Sequence, residues 1–285
     1  MMFVCEDDKS LRSSFFLDLG GLLDANNTIP INIVYHSKNF YDSQSININR
    51  NTYTSTKIDR MKINYKNIKT GIEKLYADCY VPGKKNILYY GGHSYWLFEN
   101  QKYNFKTKMF ENIRGIELLI LDSCYTSYTN LLSTLIGKTK YVMACSTASP
   151  NLGFLTDKFI TILNKPNLNN IEKYKKLIDM FIIRNSATDK LYKPLNYRTD
   201  GSLIDMNKYV DVFEFIEHNH IPKEYKCKIE HDAYYYFYDL LCLTENADFK
   251  RKIKDCILYT KMNALAKEFF KKKNISLSGM IIGIR

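Results

Sequence analysis

The sequence predicts an α/β fold with a mostly parallel central sheet, on three observations. The first 150 residues alternate strand-like and helix-like segments. Ile116 to Leu121 is a near-continuous apolar run, the mark of a strand covered on both faces. Two such runs, one before His93 and one before Cys124, stop abruptly at polar residues. Strands do this where a parallel sheet opens at its carboxyl edge.

Taken in order, Met2-Phe3-Val4-Cys5 is a short apolar run closed by Glu6-Asp7-Asp8. Leu11 to Leu23 carries apolar residues at helical spacing and breaks toward Asn26-Asn27. Ile31 to Tyr35 reads as a strand, Asn67 to Ala77 as a helix, and Ile87 to Tyr90 as a strand ended by Gly91-Gly92. Tyr125 to Ile136 has helical character and stops at Gly137, and Tyr141 to Cys145 is another buried strand. Strand, helix, strand in this order implies helices on both faces of the sheet. From Gly153 onward the pattern is helical: Gly153 to Leu163, Ile171 to Arg184, Asn207 to Glu217, Asp232 to Leu243 and Asp248 to Lys271. A strand-like run, Met280 to Ile284, follows. The expected division is an α/β core over 1–165 and a mainly helical part over 166–285 packed on it.

Composition narrows the function. The 285 residues are 45% hydrophobic and 25% charged, an ordinary globular balance that excludes collagen-like and low-complexity classes. No apolar run approaches the ~20 residues of a membrane span, so no membrane partner is expected. Met1 to Lys9 lacks the basic and apolar regions of a signal peptide, which favours an intracellular location. The net charge of +11 raises the question of nucleic acid. The lysines are spread along the whole chain, and no zinc finger, aromatic RNA-binding strand or Gly-rich phosphate loop occurs, so no nucleic-acid partner is expected. The seven cysteines are odd in number, widely spaced and without a CxxC, as reduced thiols are. His218, His220, Cys227 and His231 lie close in sequence but match no zinc-ligand spacing, and no metal is expected.

Chemistry gathers at the two strand ends, Tyr90-Gly91-Gly92-His93-Ser94 and Leu121-Asp122-Ser123-Cys124. In neighbouring parallel strands both open on one edge, about 5 Å apart. Cys and His so placed are a nucleophile and its base. Glycines before His93 permit a tight turn and close approach of a substrate backbone. Cys145, also at a strand end, is the other cysteine in a comparable setting. Asp122 has two readings: a carboxylate at the floor of a strand-end pocket, or a cap for the helix that follows.

At these residues the sequence resembles the caspase-like cysteine peptidases of clan CD, in particular the clostripain-like peptidases. In that clan a strand ending in a His-containing turn is followed by a strand ending in Asp-x-Cys. Met2 to Leu11 looks like the family's opening strand and polar turn, and Ile31 to Tyr35 like its second strand. Ala144 to Phe154, with its Ala-Ser turn running to Pro and Gly-aromatic, resembles the segment after the nucleophile strand. Ser202 to Met206 and Ser276 to Ile282 are similar to later family segments. The match is weak over 40–68 and 218–270.

The resemblance implies a caspase-like three-layer sandwich and a role for each matching residue. Cys124 is the implied nucleophile and His93 the general base and acid. The amides of Ser94 and Cys124 are implied for the oxyanion. Asp122 is implied as the acceptor of a Lys or Arg side chain, because the residue two before the nucleophile is acidic in clan members that cut after basic residues. Ser146 and Thr147 are implied to line the substrate site. Ser94 replaces the family's usual Gly, the interval from His93 to Cys124 is short, and the turn at Ser146 to Ser149 lacks carboxylates. No cofactor is expected, and the sequence does not support calcium control. The expected function is a cysteine endopeptidase acting on protein or peptide substrates after Arg or Lys. The alternative is a peptidase-like binding module that no longer cleaves.

Overall fold

The computed structural model describes residues 1–7, 19–23, 29–37, 44–49, 52–57, 64–97, 107–147, 156–186, 198–219, 228–232 and 235–284. Five strands make the parallel core: β1 (Met2–Asp7), β2 (Ile31–Ser37), β5 (Asn86–Gly91), β6 (Ile116–Asp122) and β7 (Thr139–Ala144). They lie side by side in the order β2-β1-β5-β6-β7, every pair parallel. These are the five strands expected from the sequence. Strands β5 and β6 are buried on both faces, with only Gly91 and Glu117 partly exposed. All five therefore present their carboxyl ends at one edge.

Antiparallel strands extend the sheet at both sides. Beyond β2 lie β3 (Gln44–Asn49) and β4 (Thr52–Lys57), in a region where the sequence suggested no element. The alternation in Ile46-Asn47-Ile48-Asn49 is the signal there, and Ile48 is buried. Beyond β7 lie β8 (Asp200–Asp205) and β11 (Ile257–Met262), both contributed by the chain past residue 166. Because β8 runs against β7, its first residue, Asp200, stands at the carboxyl edge of the parallel core. A separate three-stranded sheet joins β9 (Lys228–Asp232), β10 (Tyr235–Asp239) and β12 (Ile281–Ile284).

Helices cover both faces, as the three-layer expectation requires. One face packs on α2 (Tyr65–Cys79), α3 (Thr129–Ser133), α6 (Met206–His218), α7 (Ala247–Cys256) and α8 (Ala264–Lys272). The other packs on α1 (19–23), α4 (Thr156–Leu163) and α5 (Asn170–Ser186). Asn64 caps α2 by accepting from the Asn67 amide at 2.9 Å, and Ile68, Gly71, Ile72 and Leu75 form its buried stripe.

Three helical expectations are corrected. Of the expected helix Asp232 to Leu243, Asp232 ends β9, Tyr235–Asp239 is strand β10 and residues 240–243 form a turn, because Tyr235-Tyr236-Phe237-Tyr238 is an aromatic run that favours a strand. Asp248 to Lys271 is interrupted: α7 ends at Cys256, Ile257 to Met262 pairs with β8, and Asn263 caps a new helix by accepting from the Ala266 amide. Tyr125 to Ile136 is helical over Thr129–Ser133, because residues 125–127 bond across to the end of β7. The rest of the expected Leu11 to Leu23 helix, and the segment 148–155, lie outside the described residues.

Candidate active site

Strands β5 and β6 pair in parallel up to Gly91 opposite Asp122, and the Gly92 amide donates to the Asp122 carbonyl at 3.3 Å. His93 follows on one strand and Cys124 on the other, each two residues past the last pair, at the same edge. Tyr90, wholly buried, donates its hydroxyl to the His93 carbonyl at 3.0 Å and so ties the His93 backbone to the core. The His93 ring stacks on Tyr95, centroids 5.0 Å apart and planes 18° apart. Ser94 opens the 3₁₀ turn Ser94–Leu97 directly after His93.

Cys124 is a partly exposed free thiol at the head of a tight turn. The next residue, Tyr125, has φ +55°, a left-handed conformation that costs a non-Gly residue about 1–2 kcal/mol. Three groups hold it there. The Tyr125 amide donates to the Thr147 carbonyl at 3.1 Å, the Ser127 amide to the Cys145 carbonyl at 2.9 Å, and the Tyr125 ring stacks on Phe237 at 4.7 Å. The Thr126 hydroxyl lies 3.2 Å from the carbonyls of both Leu121 and Ser123, and accepts from the Cys145 amide at 3.2 Å. On the far side of the turn the Ile281 amide of β12 donates to the Ser127 carbonyl at 3.2 Å.

Burial disfavours the thiolate at three other cysteines. Cys145 is buried, and that burial, followed by the charges of Asp200, Asp122 and Cys124, pushes its thiol well up from the ordinary value. Burial pushes Cys256 up to about 12 and also raises Cys79. Cys79, Cys124, Cys145 and Cys256 are free thiols, as expected. Cys242 corrects that expectation, because it is disulfide-bonded; spacing along the chain does not reveal which cysteines meet in space.

Asp122 is 8% exposed and accepts a 2.5 Å hydrogen bond from the Tyr89 hydroxyl. The Tyr89 ring lies so close over Gly91 that a Cβ there would sit 2.8 Å from it. Ser146 and Thr147 are buried, and their amides and the Thr147 hydroxyl turn to Asp200. Asp200 accepts from the Ser146 amide at 3.0 Å, the Thr147 amide at 2.9 Å and the Thr147 hydroxyl at 2.7 Å. Burial raises the Asp200 carboxyl from its ordinary value, and the donors of Thr147 and Ser146 pull the other way. Sequence patterning alone does not single out Asp200. The available signal is a carboxylate and a glycine opening the strand-like run Ser202-Leu203-Ile204. Among the described residues no three His, Cys, Asp or Glu side chains cluster as metal ligands, and no helix is long and apolar enough to cross a membrane.

No family model matches the sequence, and no curated protein does. Solved structures match over nearly the whole chain. An inactive zymogen C11 protease from Parabacteroides distasonis superposes with a TM-score of 0.70 at 13% identity, covering 100% of this chain and 91% of that one. A secreted C11 cysteine protease from Bacteroides thetaiotaomicron in complex with an irreversible peptide inhibitor gives 0.69 at 10% identity, covering 92% and 84%. A structure of a secreted C11 cysteine protease from the same species, "iotapain", gives 0.67 at 13% identity, covering 99% and 92%. The chain thus has the fold of the C11, or clostripain-like, cysteine proteases.

Proposed function

We propose that the chain is a cysteine endopeptidase that cleaves peptides after Arg or Lys, with Cys124 as nucleophile and His93 as base. One observation carries the reading: His93 and Cys124 leave adjacent parallel strands at matched positions on one edge. The fold supports it, and so does the partial exposure of Cys124 beside a Cys145 whose burial disfavours the thiolate. His93 takes the Cys124 proton, and the thiolate adds to the scissile carbonyl. The amides of Ser94 and Cys124 receive the oxyanion, a contribution of roughly 3–4 kcal/mol per donor where it has been measured. His93 then protonates the departing amine, and water activated by the same ring releases the acyl group. Asp122, held by Tyr89, faces the P1 cation.

The test is labelling with a thiol-reactive peptide bearing Arg or Lys next to its reactive group, on the parent, Cys124→Ala and Cys145→Ala. The expected outcome is labelling and cleavage in the parent and in Cys145→Ala, and neither in Cys124→Ala. Activity surviving in Cys124→Ala overturns the assignment. A folded parent that neither labels nor cleaves any peptide is the non-cleaving binding module. Preference for Asp or Leu at P1 removes the acidic pocket.

A further inference from the structure

Asp200 is a wholly buried carboxylate at the point where β7 leaves the sheet. The β7–β8 ladder ends with Ala144 opposite Ser202, and the same register carried two residues further sets Ser146 opposite Asp200. There the Asp200 side chain takes over from the backbone ladder. Its Oδ1 accepts from the Ser146 amide, the Thr147 amide and the Thr147 hydroxyl at 2.7–3.0 Å, its Oδ2 lies 3.1 Å from the Ser146 amide, and its own amide donates to the Thr147 hydroxyl at 3.2 Å.

The segment so held is the one that holds the nucleophile turn. The carbonyls of Cys145 and Thr147 accept from Ser127 and Tyr125, and the Cys145 amide donates to the Thr126 hydroxyl. A continuous path of hydrogen bonds therefore runs from Asp200 through residues 145–147 to the turn that begins at Cys124. Packing alone does not explain a carboxylate here, because burying one costs several kcal/mol unless its lone pairs are filled. Filled by consecutive amides, it fixes backbone that has left its strand.

We propose that Asp200 is a positioning residue for the nucleophile turn: through Ser146 and Thr147 it sets the height and orientation of Cys124 and its amide at the carboxyl edge. The inference rests on the peptidase reading for its kinetic consequence, and its backbone consequence stands without it.

The experiment compares the parent, Asp200→Ala, Asp200→Asn, Thr147→Val and Thr147→Ser. Three quantities are measured: kcat and KM on a basic-P1 peptide, the rate of Cys124 alkylation by iodoacetamide against pH, and amide exchange at Tyr125, Ser127, Leu119 and Val142. In Asp200→Ala and Thr147→Val, kcat is expected to fall at least tenfold with KM within threefold. Exchange at Tyr125 and Ser127 is expected to rise at least tenfold, with Leu119 and Val142 unchanged, and the alkylation profile to shift. Ser keeps the hydroxyl, so Thr147→Ser should recover to within about threefold of the parent, while Asp200→Asn keeps the Oδ1 acceptor but sets an NH2 against the Ser146 amide and should fall between the parent and Asp200→Ala. If Asp200→Ala does not fold, Thr147→Val carries the test, because it leaves the carboxylate with both amides. A folded alanine variant with parental kcat and parental exchange overturns the proposal. So does faster exchange spread equally over Leu119 and Val142, which marks a purely structural acid, and so does Thr147→Ser no better than Thr147→Val. If the parent cleaves nothing, the peptidase reading fails, and exchange at Tyr125 and Ser127 still decides the coupling.

Discussion

Asp122 and Tyr89 form a short, buried pair whose donor stands on the strand that delivers His93. A phenol on one carboxylate oxygen restricts how the other can turn, and hydrogen bonds to charged groups are worth about 1.5–3 kcal/mol. Asp122→Asn is expected to lower turnover of Arg substrates roughly a hundredfold, about 3 kcal/mol; a fluorogenic panel with Arg, Lys, Asp or Leu at P1 reads this. Unchanged Arg cleavage in the folded variant would leave Asp122 with no part in specificity. Tyr89→Phe keeps the ring over Gly91 and removes the donor, so KM for Arg substrates should rise about tenfold. A fall in KM would show instead that Tyr89 competes with the substrate cation. Tyr95 contributes through its stack on His93. Tyr95→Ala should slow acylation several-fold and Tyr95→Phe should not, measured as single-turnover rates.

At the scale of elements, two glycines separate backbone conformation from crowding. Gly137 ends the α3 region at φ +72° with nothing within 4 Å of a built Cβ, so Gly137→Ala should cost only the left-handed penalty, about 1–2 kcal/mol. Gly279 has φ +92°, and a Cβ there would lie 2.1 Å from the Ser202 hydroxyl of β8 and 2.8 Å from the Thr260 hydroxyl of β11. Gly279→Ala should destabilise by clearly more than Gly137→Ala in denaturant titration, and equal losses would refute the close approach. Elements also differ in how well the sequence declares them. The β5, β6 and β7 runs are almost wholly apolar because both their faces are buried, Glu117 and Lys140 near the strand starts excepted. The sequence offers His93, Asp122 and Cys124 as candidates because they lie where the apolar runs of β5 and β6 stop, and the fold sets those two strand ends at one edge. The strand β11 was hidden because a six-residue run between two helices carries helical neighbours on both sides. The short α3 was over-read because its flanking turn is set by bonds to residues 145 and 147, distant in sequence. Asp200 escaped for the same reason: its four bonds reach back more than fifty residues.

Across the whole molecule, Asp239 braces the small sheet where β10 ends, tying it to the segment that leads into β12. It is fully buried and accepts from the Leu241 and Cys242 amides and from the amide and hydroxyl of Ser278. Burial raises its carboxyl from 3.8 to about 7, against those donors. The folded state therefore holds this proton more tightly than the unfolded chain does. The contribution is complete below about pH 4 and is lost as pH rises from about 4 to about 7. Melting temperature should fall across that window, and the slope should flatten in Asp239→Asn; parallel slopes would remove Asp239 as the source. Just beyond Ser278, the Met280 carbonyl accepts from the Leu240 amide, and Ile281 bridges to Tyr128 and donates to Ser127. The ribosome releases a chain from its amino end at about 5–20 residues per second, so Ile281 follows Ser127 by on the order of 10–30 s. For most of that interval the parallel strands, with His93 and Cys124, have already been synthesised, while the turn after Cys124 still lacks the Ile281 amide. Completion of that turn therefore waits on β12, which is synthesised after every strand of the parallel core.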